Sequence, residues 1–221
     1  QASEIGGQFN YAKQIPGKEE FYETLRYYAR MIEKTGVNLH LNIKVNANAL
    51  REYKFDEIVM ATGIEPRQLS IPGSSHPKVL SYIDVLRDHK AVGNKVAVIG
   101  AGGIGFDVAE YLVEQEHLAT HIDKWLANWG IDKSVSQAGG LTKPHIAHSG
   151  REVYLLQRKS SKVGGGLGKT SGWVHRASLA QHNVQMINSV EYVKVDDNGL
   201  HININGEPKT LDVDNVIVCA G

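Results

Sequence analysis

An α/β fold built around a parallel sheet is what this 221-residue sequence predicts. Three observations predict it. Short apolar runs recur with small residues directly after them, as at 96–99 (VAVI) before Gly100 and 216–218 (VIV) before Cys219 and Ala220. Segments with helical apolar spacing alternate with such runs. One run opens into Gly100-Ala101-Gly102-Gly103-Ile104-Gly105, a G-x-G-x-x-G turn set between a strand and a helix.

Composition narrows the class. With 42% hydrophobic residues and 24 Lys+Arg against 24 Asp+Glu, the chain suffices for one good core or two small ones. No apolar run approaches the roughly 20 residues that cross a bilayer, and QASEIGGQFN lacks the basic start and apolar stretch of a signal peptide. The expectation is a soluble, cytoplasmic globular protein. Zero formal charge offers no general attraction to nucleic acid or an anionic membrane. The single cysteine, Cys219, excludes a disulfide framework, a Cys-x-x-Cys redox pair and a cysteine-rich zinc or iron-sulfur site within these residues. Redox chemistry here therefore requires a bound organic cofactor. The absent initiator Met, the glycine-containing start and the stop at Gly221 read as cuts, so a piece of a larger protein is expected.

In chain order, residues 20–35 place Phe21, Leu25, Tyr28, Ala29 and Ile32 on one helical face, and Gly36 ends that helix. LHLNIKV (39–45) alternates like a half-buried strand, and KFDEIVMATG (54–63) reads as an apolar strand entering a glycine turn. Pro66, Pro72, Gly73 and Pro77 mark a connection between domains, with the boundary at 73. Residues 95–114 read as strand, glycine turn and helix. Residues 117–150 are irregular and read as an insertion with a helix around Trp125 and Trp129. A strand at 153–157, a glycine-rich loop at 164–172, a helix at 173–182, a strand at 184–188, a hairpin turning at Asp197-Asn198-Gly199 and a final strand complete the chain. FDEIVMATG (55–63) also echoes VDNVIVCAG (213–221), which suggests two related dinucleotide-binding folds in one polypeptide.

The glycine motif has specific physics. Gly100 permits the tight turn, Gly102 lets the main chain approach a pyrophosphate, and Gly105 lets the helix pack on the strand. With Gly103 and Ile104 opening the helix, its N-terminal amides and dipole face the anion. This is the signature of a Rossmann-type NAD(P)-binding domain. Nucleotide choice depends on the end of the next strand, where NAD sites carry an acid and NADP sites carry cations. Gln157-Arg158-Lys159-Ser160-Ser161-Lys162 stands there without Asp or Glu, so Arg158 and Lys159 favour the 2'-phosphate of NADPH. The usual gap from the glycine motif is roughly 20 residues. The assignment therefore requires 117–150 to be an insertion between helix and second strand.

Competing readings are weaker. Gly164-Gly165-Gly166-Leu167-Gly168-Lys169-Thr170 resembles a phosphate-binding NTPase loop, but Val163 occupies the position of the first required glycine. His117, His121, His145 and His148 fall in the insertion without cysteines or a clear helical pair, so no metal site is assigned.

The segments GGQFNYAKQIPGKEEFYETLRYYARMIEKTGV, NKVAVIGAGGIGFDVAEYL, GIDKSVSQAGGL and LQRKSSKVGGGLGKTSGWVHR resemble the bacterial NADPH-dependent 2,4-dienoyl-CoA reductases. Trimethylamine and histamine dehydrogenases are more distant relatives of that family. The resemblance covers nearly the whole chain, insertion included. It implies a larger enzyme of fatty acid β-oxidation, in which an N-terminal barrel with FMN and a 4Fe-4S cluster precedes FAD and NADPH domains. Residues 1–73 would be part of the FAD domain, its first unit missing, and 74–221 the NADPH domain. Gln8, Lys18, Val45, Ala61, Thr62 and Gly63 would lie near FAD, while Arg158 and Trp173 would contact NADPH. Hydride would pass from NADPH to FAD, with no catalytic residue in this chain. A nucleotide-sensing module without turnover, or an amine dehydrogenase, is the alternative.

Overall fold

A computed structural model describes residues 2–114 and 118–220. Its elements run α1 (Phe9–Ala12), α2 (Phe21–Thr35), α3 (Ala47–Glu52), β1 (Val79–Ser81), α4 (Tyr82–Leu86), β2 (Lys95–Ile99), α5 (Gly103–Val113), α6 (Ile122–Asn128), β3 (Glu152–Leu156), α7 (Gly172–Gln181), β4 (Gln185–Ile187), β5 (Val190–Asp196), β6 (Gly199–Ile204), β7 (Glu207–Leu211) and β8 (Asn215–Val218). A five-stranded parallel sheet has the order β1-β8-β2-β3-β4, and β5-β6-β7 form a separate three-stranded antiparallel sheet.

Alternation along β2 explains the layering. Val96 and Val98 pack with Phe106, Val108 and Leu112 of α5 and with Val85 and Leu179. Ala97 and Ile99 face the other way, into a second cluster with Val190, Val195, Leu200, Ile202 and Leu211 of the antiparallel sheet. Helices therefore cover one face of the parallel sheet and the antiparallel sheet covers the other. Because a central strand is buried on both faces, it reads as a continuous apolar run, as VAVI does. Each such side chain contributes about 1.5 to 3 kcal/mol on burial.

Residues 117–150 do lie between α5 and β3, while β2 and β3 pair in parallel register from Lys95↔Glu152 to Ile99↔Leu156. The long segment thus interrupts the connection without disturbing the sheet. Its helix, α6, brings the Trp125 and Trp129 rings to 6.2 Å, and an isolated bridge joins Ile131 to Leu141. Asp132 accepts bonds from the backbone and hydroxyls of Ser134 and Ser136, which holds its carboxyl well below the usual carboxylate range.

Two expected strands are not formed. Residues 39–45 and 54–63 form no regular structure and are largely exposed, with Val59 at 89% and Met60 at 71% exposure, and neither joins a sheet. A strand needs a partner for its main-chain groups, and neither segment belongs to a described sheet, although the Asn42 N–H donates to the Ala2 carbonyl at 2.9 Å. The echo is therefore unequal: 213–221 supplies β8 between β1 and β2, whereas 55–63 stays outside both sheets. Gly221 lies outside the described residues. The helix α2 forms as expected and ends at left-handed Gly36, yet buries none of its residues fully; Tyr28 and Ala29 of its apolar face are exposed. Two strands go beyond the sequence reading: β1, which pairs with β8, and β7. β6 continues through Asn205 and Gly206, at φ 52° and 88°, into β7. Positive φ at both positions is the turn that Asn-Gly favours. No described helix is long and apolar enough to cross a membrane.

Candidate dinucleotide site

The parallel order reverses at β2, with β3 on one side and β8 on the other, and a cleft opens at the carboxyl ends of these strands. Open α/β sheets bind ligands at such switch points. The cleft has a volume of about 360 Å³ and is lined by the glycine turn (Gly100 to Gly103), the basic loop (Gln157, Arg158, Lys159, Ser161), Gly166 and Leu167, Tyr192, and Cys219 with Ala220 after β8.

Each glycine of the turn has its own geometric reason. Gly100 sits at φ +105°, and a Cβ there would meet the Cys219 carbonyl oxygen at 2.9 Å. At Gly105 a Cβ would stand 1.7 Å from the Gly100 carbonyl oxygen, so only hydrogen permits this approach of helix to turn. Gly102 differs. Its Cβ position has no atom within 4 Å, and the residue is the N-cap of α5 with no side chain capping the helix. Gly103 likewise borders open space, and Ile104 packs against the helix-side core. The helix N-terminus therefore meets the cleft as bare backbone, the arrangement that favours an anion.

At the other end, Arg158 and Lys159 are exposed on the loop after β3, as the insertion reading required. The Gln157 side-chain amide donates to the carbonyls of Lys159 (3.1 Å) and Ser161 (2.8 Å), folding the loop onto itself. Gln157 thus organises backbone where an NAD site would carry an acid. Tyr192, missed in the sequence, reaches the cleft from β5, its hydroxyl donating to the Leu156 carbonyl at 3.2 Å. Burial pushes its phenol up to about 12 despite the nearby Arg158 guanidinium, so it remains a donor. A Tyr in a half-buried strand carries no sequence signal for a site two strands away. Burial likewise pushes the Cys219 thiol up, so it stays neutral beside the cleft.

The remaining expected residues fall elsewhere. Trp173, exposed in the first turn of α7, borders an adjacent depression with Lys162, Val163, Arg176, Met186 and Asn188. The glycine-rich loop before α7 is packed on α5: a Cβ on Gly164 would meet the Phe106 ring at 2.5 Å, and Arg176 donates to the Gly164 carbonyl. Gln8 accepts from the Tyr82 hydroxyl at 3.4 Å, and Lys18 pairs with Asp107 of α5 at 2.7 Å. Both rest against the dinucleotide domain. Val45, Ala61, Thr62 and Gly63 lie on these exposed segments, apart from that cleft. His121 precedes α6, His145 lines a separate cavity at the insertion, and the His148 ring lies 6.5 Å from that of His182. His117 lies outside the described residues. Among the described residues, no group of three His, Cys, Asp or Glu side chains converges to hold a metal.

A pyridine dinucleotide fits this arrangement: open space at Gly102, a bare helix N-terminus and a cationic loop meet in one cleft. Fold and site together define an NAD(P)-binding α/β domain. Comparison with known proteins extends this. Residues 11–221 match the family described as pyridine nucleotide-disulphide oxidoreductase, and the chain belongs to that family. It is accordingly an NAD(P)-binding α/β unit of that oxidoreductase family. It is similar to a cinnamate reductase of Clostridium sporogenes, 26% identical over 212 residues, which are 94% of this chain and 27% of that protein. A solved 2-naphthoyl-CoA reductase complex aligns with 100% of this chain and 28% of its own at TM-score 0.74 and 25% identity. Histamine dehydrogenase from Rhizobium sp. 4-9 shares the fold at TM-score 0.67 and 15% identity, covering 100% of this chain and 31% of its own. The chain spans no more than a third of the length of these relatives.

Proposed function

We propose that this chain is the NADPH-binding, hydride-donating portion of a flavin oxidoreductase that reduces 2,4-dienoyl-CoA. Residues 1–73 belong to its FAD-binding domain and 74–221 form its NADPH domain. The observation that carries the reading is the convergence of Gly102 and the Arg158-Lys159 loop on one cleft at the switch point. NADPH held here would supply the hydride for an FAD bound by the adjoining domain. The residues of this chain bind and orient: the α5 N-terminus holds the pyrophosphate, and Arg158 and Lys159 hold the 2'-phosphate. Gln8, Lys18, Val45 and Ala61 to Gly63 face FAD, and Trp173 flanks the bound nucleotide. FMN and a 4Fe-4S cluster belong to a barrel elsewhere in the polypeptide. Relatives named for reducing cinnamate and 2-naphthoyl-CoA support an unsaturated acid or thioester as substrate over an amine.

Anaerobic addition of NADPH to the intact parent protein tests this. Bleaching of a flavin absorption band, followed by reoxidation with a 2,4-dienoyl-CoA, is the expected result. Nucleotide binding by a parent without flavin would mark a sensor instead, and reoxidation by an amine-derived imine alone would transfer the protein to the amine dehydrogenases.

A further inference from the structure

Hydrogen bonds occupy most main-chain carbonyls of the basic loop. The Leu156 carbonyl accepts from the Gly100 N–H at 3.0 Å and from the Tyr192 hydroxyl at 3.2 Å. Val190 N–H donates to Gln157 O at 3.0 Å, and Ser189 N–H donates to Lys159 O at 3.1 Å. The Asn188 side-chain amide donates to Ser160 O at 3.0 Å and Ser161 O at 3.3 Å. Apart from Gly100 and the amide of Gln157 itself, these donors come from residues 188–192, where β4 leaves the parallel sheet and β5 begins the antiparallel one.

The register of β5 suits this role. Strict alternation from buried Val190 would place Tyr192 and Lys194 on one face, but the ladder shifts between Tyr192 and Lys194, leaving Lys194 exposed and Val195 buried. A bulge re-aims side chains locally. Here it keeps Tyr192 toward the cleft while the strand resumes its core contacts one residue later.

The chemistry follows from sign. A peptide carbonyl turned toward a phosphate repels it, whereas amides and guanidinium groups attract it. Tying these oxygens into hydrogen bonds within the protein leaves the cations as the loop's contribution to the cleft. We propose that Tyr192 and Asn188 are positioning residues that set nucleotide preference, by occupying the Leu156, Ser160 and Ser161 carbonyls in hydrogen bonds and so fixing the loop on which Arg158 and Lys159 meet a ribose 2'-phosphate. This rests on the reading of that loop as the 2'-phosphate site. The selectivity has a structural cause: in Tyr192→Phe the Gly100 N–H still bonds Leu156 O, so the pyrophosphate turn stays in place. NADH, which lacks the 2'-phosphate, is held as before.

The test is calorimetric titration of the 221-residue chain with NADPH and NADH, for the parent, Tyr192→Phe, Asn188→Ala and Arg158→Ala. Expected is a loss of about five-fold in NADPH affinity for Tyr192→Phe and for Asn188→Ala, the size of one neutral hydrogen bond, with NADH unchanged. If Arg158→Ala erases the preference while Tyr192→Phe and Asn188→Ala leave the NADPH-to-NADH ratio intact, the positioning role is overturned and the site assignment stands. A lowered melting temperature with that ratio intact counts the same way, since it marks a structural role only. If Arg158→Ala weakens both nucleotides equally, the 2'-phosphate assignment itself falls, and this inference with it.

Discussion

Valine at position 102 and alanine at position 105 perturb the same turn with opposite consequences. Gly102 has φ −86° and ψ −170°, a conformation any residue adopts, and its Cβ position is free of atoms within 4 Å. Replacing a glycine N-cap with an aliphatic residue costs about 1 kcal/mol, equivalent to roughly 2 to 4 °C in melting temperature for a domain of this size. The added methyls project into the cleft where the pyrophosphate must approach, so NADPH binding should be lost. At Gly105 a single methyl meets the Gly100 carbonyl oxygen at 1.7 Å and its carbon at 2.8 Å. Backbone has to move, and overpacking of this kind costs 3 kcal/mol or more, which is roughly 6 to 12 °C. Thermal unfolding by circular dichroism and NADPH titration calorimetry, run on both variants, separate the two effects. A Gly102→Val protein with parental melting temperature and parental NADPH affinity would refute the reasoning, because the turn would then be structural only.

The remaining predictions concern charge and cofactor. Arg158→Ala should weaken NADPH by about 1.5 to 3 kcal/mol, the worth of a charge-assisted hydrogen bond, while NADH changes little; equal losses in calorimetry would show another role. Burial alone would raise the Asp84 carboxyl, but Lys90 and the Ser81 hydroxyl and backbone of the α4 capping box outweigh it and hold it at about 2. Since the folded value is depressed, its stabilisation is present above the ordinary carboxylate pKa and is lost as pH falls from about 4 toward 2. Asp84→Asn should therefore cost about 1 to 2 kcal/mol near neutrality, and chemical denaturation should show the difference shrinking as pH falls toward 2 and vanishing below it. FAD should bind poorly to the 221-residue chain, because Ala61 to Gly63 lie on an exposed segment outside both sheets. Stoichiometric flavin in the purified chain, read from its visible spectrum, would contradict this.

By itself the sequence determined the parallel α/β unit and its glycine turn. VAVI, the glycines after it and the apolar periodicity of α5 are local signals, each rooted in backbone sterics or burial within a few residues. The cationic loop was legible for the same reason, as was the insertion, which leaves β2 and β3 in register. Partnership between distant segments was not legible. LHLNIKV and KFDEIVMATG have strand patterns as good as that of β8, yet only β8 finds neighbours, because a strand is stabilised by the chains beside it and not by its own residues. Asn205-Gly206 carries a hairpin signal for β7, with both residues at positive φ. Tyr192 had none: its arrival beside Arg158 depends on a sheet folded from residues 190–211, a bulge within it, and one carbonyl at the end of β3. Tertiary structure alone decided that meeting, since a hydrogen bond between residues 36 apart is set by the path of the chain between them and not by either residue.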